Sequence, residues 1–241
     1  MKRSFLLTLI CVLSAGASPA GPGEPNLFSD GLSAFKAPIG EWEEVGSVML
    51  DPDNPKKLLA KPGKGVWYNG AKGKTKNLFT KKNHGDVEVA FEFLIPKGSN
   101  SGVKFHGHYE IQILDSFGAK ELSGDSCGGV YPRAEAKPKY HHIDKGISPR
   151  VNASKPAGEW QSMTISFQAP RFDDKGKKTA NAKLLKVDFN GQVIHENQEL
   201  LTPTGDRWNN PEMAEGPLMI QADHGPVAFR NLTMRPLRAA K

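Results

Sequence analysis

Apolar and polar residues alternate with period two along most of the chain. In "VEVAFEFLI", Val87, Val89, Phe91, Phe93 and Ile95 share one face, with Glu88, Ala90, Glu92 and Leu94 opposite. "SMTISFQA" sets Met163, Ile165 and Phe167 inward and Ser162, Thr164, Ser166 and Gln168 outward. "LLKVDFNGQVIHE" assigns Leu185, Val187 and Phe189 to an inner face and resumes at Val193 after Asn190-Gly191. That pair suits a type I′ hairpin, whose two central residues need positive φ. "PLMIQADHG" and "VAFRNLTMRPL" read as two closing strands. No window carries a long apolar stripe at helical spacing. Short strands divided by Gly, Pro and Asn turns predict an antiparallel β-sandwich. One face of each strand then packs, and the other meets solvent or lines a site.

The segment "NSGVKFHGHYEIQILDS" (residues 100–116) departs from this scheme on its polar side. Val103, Phe105, Tyr109, Ile111 and Ile113 form the apolar face; Lys104, His106, His108, Glu110 and Gln112 form the other, with Gly107 marking a turn. A plain solvent face carries Ser and Thr, as residues 162–168 do, and this one carries neither. Glu92, from a neighbouring strand, is expected to join it. Same-side residues recur about every 7 Å along a strand, so Glu110 between His108 and Gln112 has the composition of a general acid or base with orienting neighbours. Glu110 and His108 are the catalytic candidates. A retaining glycosidase needs two carboxylates about 5 Å apart, and Gln112 stands two residues after Glu110, where a second one would be expected. The i, i+2, i+4 series His106, His108, Glu110 is a candidate set for a divalent cation, calcium or a transition metal. A turn at Gly107 would split the two histidines.

The chain ends and the charge balance narrow the setting. Lys2 and Arg3 precede the apolar "FLLTLICVLSAGA" and then small residues, so residues 1–20 read as a signal peptide. The run is short for a membrane span, which takes about 20 apolar residues. "LTLIC" also lacks the small residues that precede a lipid-modified cysteine, so Cys11 does not point to a lipoprotein. Residues 21–26 read as a flexible lead-in and 27–237 as one domain; the expected location is periplasmic or extracellular. Loss of Lys2 and Arg3 takes the net charge from +6 to about +4. The densest basic run, "KPGKGVWYNGAKGKTKNLFTKK", is interleaved with glycine like a solvated loop, so nucleic acid is not an expected partner. Cys127 alone remains after cleavage and reads as a small buried thiol.

Further candidates lie in turns. Asp223 and His224 precede a Gly-Pro turn, where a carboxylate beside an imidazole can tune a base. Tyr131 and Arg133 in "GGVYPR" suit sugar stacking and hydrogen bonding. Trp67 and Tyr68, beside the basic run, could form a platform. "YHHID" (residues 140–144) reads as a loop.

Several motifs occur together and in order: "NSGVKFHGHYEIQILDS", "GGVYPRAEAKP", "NASKPAGEWQSMTISFQAPRFD", "FNGQVIHEN" and "GPLMIQADHGPVAFRNLTMRPL". Together they resemble the bacterial 3-keto-disaccharide hydrolase family, also described as a 3-keto-glucoside-1,2-lyase/3-keto-2-hydroxy-glucal hydratase domain. The resemblance spans about residues 27 to 237. It implies a concanavalin A-like jelly-roll sandwich, exported from a bacterium and acting on glycosides or their oxidised forms. His106 departs from the family pattern, which carries arginine nearby. The implied reaction removes the C2 proton made acidic by a C3 ketone, expels the anomeric substituent and hydrates the resulting glucal. Glu92, Lys104, His106, Gln112, Tyr131, Arg133, Asp223 and His224 are then the substrate-binding candidates, for a disaccharide or other glycoside. A non-catalytic carbohydrate-binding module and a conventional glycosidase remain alternatives.

Overall fold

The alternating segments form strands, and among the residues described by the computed structural model, 26–237, no helix occurs. The leader assigned to residues 1–20, and residues 21–25 of the lead-in, lie outside the described residues. The first six strands are β1 (Glu43–Asp51), β2 (Asn54–Tyr68), β3 (Leu78–His84), β4 (Val87–Leu94), β5 (Asn100–Phe105) and β6 (Tyr109–Leu114). Short strands follow at β7 (Ala134–Glu135) and β8 (His141–His142), then β9 (Gln161–Gln168), β10 (Arg171–Phe172) and β11 (Lys178–Ala180). The last are β12 (Ala182–Phe189), β13 (Gln192–Leu200), β14 (Gly216–Ile220) and β15 (Ala228–Pro236).

A seven-stranded antiparallel sheet, ordered β1-β2-β15-β4-β9-β12-β13, faces a four-stranded one, ordered β3-β14-β5-β6. This is a jelly-roll sandwich, and the inner faces of its two sheets share one core cluster. Met163, Ile165 and Phe167 on β9 point into it, as do Val103 and Phe105 on β5 and Ile111 and Ile113 on β6. Phe105 and Phe167 stack across the sandwich at 4.6 Å. Asn190 and Gly191 both have positive φ, 52° and 81°, as a type I′ turn requires.

Four expectations fail for local reasons. On β12, Leu184 is buried and Leu185 only half so, because the pairing with β9 shifts register between Leu184 and Lys186. Past the turn, Ile194 and not Val193 enters the core, after a second register shift between Val187 and Asp188. The basic run is no loop over its first part: residues 61–68 continue β2, where Gly63 packs so closely on Gly46 that a Cβ would lie 2.6 Å from the Gly46 Cα. Trp67 and Tyr68, at the end of that strand, are buried and form no exposed platform.

His106 also leaves its expected place. With Gly107 it forms the turn between β5 and β6, both at positive φ (54° and 70°), and this swings its ring off the polar face. The ring packs against His84 at 4.8 Å and edge-on to Phe167 at 5.3 Å, and is 2% exposed. Burial lowers the His106 pKa to about 4, aided by the neighbouring His84, whose own pKa burial also lowers. In the unfolded chain a histidine titrates at about 6.5. The unfolded state therefore binds more protons between these values, so stability is full above about 6.5 and declines as pH falls toward about 4. Urea unfolding at about pH 7.5 and about pH 5 should show the loss. His106→Asn, which tolerates the left-handed turn, should reduce the difference between the two.

Candidate functional site

The outer face of the four-stranded sheet floors a cleft of about 500 Å³. Its rows follow from strand register. Lys104 pairs with Glu110 on β6 and with Met219 on β14, and Met219 with Phe79 on β3, so these four side chains cross the floor in line. Gln221 and Asn77 extend the floor toward Asp223 and His224.

Glu110 is 3% exposed, and its Oε2 accepts from Lys104 Nζ at 2.8 Å. Its carboxylate lies over Gly102, where a Cβ would be 2.3 Å from Oε1, so glycine makes the room it occupies. Two effects oppose each other at this carboxyl. Burial raises its pKa and the Lys104 charge and hydrogen bond lower it; burial is the larger, and the carboxyl sits above its ordinary range. His108 is half-buried, and burial followed by the Arg207 and Lys104 charges lowers its pKa, so the imidazole is neutral near pH 7. Its Nδ1 is buried without a protein partner, as is Gln221 Oε1.

Loops docked on the free edge of β6 raise the walls. Thr204 donates its backbone N–H to the His108 carbonyl at 3.0 Å, while its Oγ1 accepts from the Glu110 N–H at 3.1 Å. Residues 128–131 pair with β6 on the same edge: the Tyr131 N–H donates to the Glu110 carbonyl at 3.1 Å, which roots Tyr131 beside Glu110. β7 and β8 then fold Tyr140 and His142 back onto Tyr131. Tyr109, through its hydroxyl, and Lys178, at 2.6 Å, both bond Glu212 and so tie the 201–215 loop down. At the far end His224 Nδ1 lies 2.6 Å from Asp223 Oδ1. Buried Asn69 holds their loop, donating to the Ala222 and Gly225 carbonyls at 3.1 and 2.9 Å and accepting from the Val227 N–H at 2.7 Å.

Lys104, His108, Glu110, Tyr131, Asp223 and His224 thus line one cleft. The other four candidates lie elsewhere. Gln112 is fully buried and donates to Asp125 at 2.7 Å, so it is held off the floor. Arg133 turns into an adjoining cleft of about 410 Å³, bonded to Asp144 at 2.6 Å. Glu92 sits on the seven-stranded sheet, across the sandwich from the cleft. There it accepts from Arg230 at 2.5 Å and Asn231 at 2.8 Å, because β4 pairs with β15 and β9 rather than with β5. His106, in the core, cannot share a cation with His108 and Glu110. Among the described residues no three His, Cys, Asp or Glu side chains converge as a metal site. Tyr140, Thr204, Asn77 and Gln221 line the cleft without having been expected there. Cys127 is buried, which pushes its thiol pKa up to about 12.

Among the described residues no helix is long and apolar enough to cross a membrane. A search of the curated proteins returns no match. Among solved structures, the chain is similar to a provisionally named glycosyl hydrolase from Parabacteroides distasonis. The TM-score is 0.58 and the identity 25%, over 86% of this chain and 80% of that one. A second such protein from the same organism is similar in fold, at TM-score 0.50 and 17% identity over 82% of this chain and all of that one. The model of the 3-keto-alpha-glucoside-1,2-lyase-like domain matches residues 26–235. With nearly the whole described sandwich inside that match, the chain belongs to the family of 3-keto-alpha-glucoside-1,2-lyase-like domains.

Proposed function

We propose that the protein cleaves 3-keto-glycosides by elimination and hydration in the cleft over β5 and β6. Family membership and the likeness to the glycosyl hydrolase structure support a carbohydrate-active function. The observation that carries the finer reading is the Lys104–Glu110 pair. A carboxylate oxygen and an ammonium nitrogen 2.8 Å apart on a cleft floor can address two adjacent positions of one ring, an acidic C–H and the carbonyl beside it.

In this reading Glu110 removes the C2 proton and the C3 oxygen takes up the electron pair as an enolate. Lys104, with N–H groups beyond the one given to Glu110, donates to that oxygen. One well-placed donor of this kind is worth about 2.7–4 kcal/mol at a transition state. Burial prepares Glu110 for the task, since a carboxylate of raised pKa is a stronger base at neutral pH. The enolate collapses, C1=C2 forms and the glycosidic oxygen departs. Neutral His108 then takes a proton from water as its oxygen adds to C1, and Glu110, its proton exchanged with solvent in the meantime, reprotonates C2. The net result is hydrolysis.

The test is cleavage of a 3-keto-glycoside in D₂O, beside its unoxidised parent. The expected result is cleavage of the keto compound alone, with one deuterium at C2 of the product. Cleavage of the parent, or a product without deuterium at C2, would establish a conventional glycosidase. Binding without cleavage would establish a carbohydrate-binding module.

A further inference from the structure

One wall of the cleft carries a side-chain cluster that the reaction above does not use. Tyr131 and Tyr140 both line the cleft. The Tyr131 hydroxyl lies 3.2 Å from that of Tyr140 and 2.9 Å from His142 Nε2. The Tyr131 and His142 rings meet edge to face at 5.1 Å. His142 is exposed, so the three form a path from the cleft through Tyr131 to solvent.

The elimination needs an acid at this point. A departing sugar alkoxide is strongly basic and leaves readily only as it is protonated. When the C1–O bond breaks, Glu110 holds the C2 proton and Lys104 faces the enolate. Resting on that reading of the reaction, we propose that Tyr131 protonates the departing glycosidic oxygen and that His142 restores its proton from solvent. As C1–O breaks, its electron pair stays on oxygen, which takes the Tyr131 O–H proton. The phenolate then takes a proton from His142, which has gained one from water.

The surroundings suit this order of events. Burial and the charges of Asp125 and Glu110 hold the Tyr131 phenol well above its ordinary range. It therefore stays an O–H until a strongly basic oxygen forms beside it. While His142 is neutral, its Nε2 accepts from Tyr131. Once protonated, Nε2–H donates instead and frees the tyrosine O–H for the cleft.

The experiment compares two 3-keto-glucosides, one with a methyl and one with a nitrophenyl aglycone. Nitrophenolate departs without protonation, whereas methoxide does not. Tyr131→Phe, which keeps the ring, is expected to lower the methyl-to-nitrophenyl rate ratio by about 100-fold or more, the scale of general acid catalysis. His142→Ala should lower the same ratio, and added imidazole should restore it. Equal losses on both substrates would make Tyr131 a binding residue and overturn the proposal, as would an unchanged ratio. If the wild type cleaves neither compound, the elimination reading itself fails, and the acid role falls with it.

Discussion

Glu110→Gln is expected to lower turnover of a 3-keto-glycoside by about 100- to 10,000-fold, the range spanned by general acid–base groups. KM should stay within a few-fold, because the amide keeps the shape of the carboxylate and its place over Gly102. The substitution removes the only group on the central floor row able to take a proton: its neighbours there are Lys104, Met219 and Phe79. It also replaces the charged partner of the Lys104 ammonium, 2.8 Å away, with a neutral amide. Lys104 is 19% exposed, so the stability cost should be modest, about 1.5–3 kcal/mol for a charged hydrogen bond. Steady-state kinetics and a urea titration on the same preparation separate the two effects. Turnover within tenfold of the wild type would remove Glu110 from the role of base.

Most of the site's floor can be read from the pattern, and most of its walls cannot. Lys104, His108 and Glu110 lie on one hairpin, so alternation alone sets them on one face. Gln112 has the same phase, yet it is buried. The 125–130 segment covers the end of β6, and no periodicity within the strand reveals a covering loop. Glu92 lies away from this floor for a related reason. Neighbours in sequence are not neighbours in a jelly roll, and β4 and β5, with only five residues between them, enter different sheets. His106 shows the limit of counting by twos. In a turn with two positive-φ residues the alternation stops, and a histidine expected over the cleft faces the core.

The walls depend on contacts far apart in sequence. Thr204 meets His108 across some hundred residues, and Asn69 pins the Asp223–His224 loop across a still longer span. Neither residue carries a local motif. Tyr140 and His142 lie in a stretch whose composition is that of a loop, and only the β7–β8 pairing brings them back onto Tyr131. The strands themselves are legible because burial repeats within each one. Where it fails, at Leu185 and Val193, a register shift has moved the phase by one residue.

Phe167→Ala should produce the largest loss of stability, about 3–5 kcal/mol, as for other buried phenylalanines truncated to alanine. Phe167 is fully buried at the end of β9, where the seven-stranded sheet meets the β5–β6 turn. Its ring stacks on Phe105 at 4.6 Å and touches the rings of His106 at 5.3 Å and Tyr109 at 5.6 Å. His84 closes the same group at 6.2 Å. The ring thus fills the space beneath the hairpin that carries Lys104 and Glu110, and little around it can collapse inward. A chain of this size loses about 2–4 °C per kcal/mol, so the melting midpoint should fall by roughly 10 °C. Function should suffer too, since Phe105 and Tyr109 flank the strand ends that set the spacing of Lys104 and Glu110. The expected signature is a lowered kcat at temperatures where the variant is still folded, with Phe167→Leu recovering much of both losses. A midpoint within about 2 °C of the wild type would mean that the two sheets hold the hairpin without this ring.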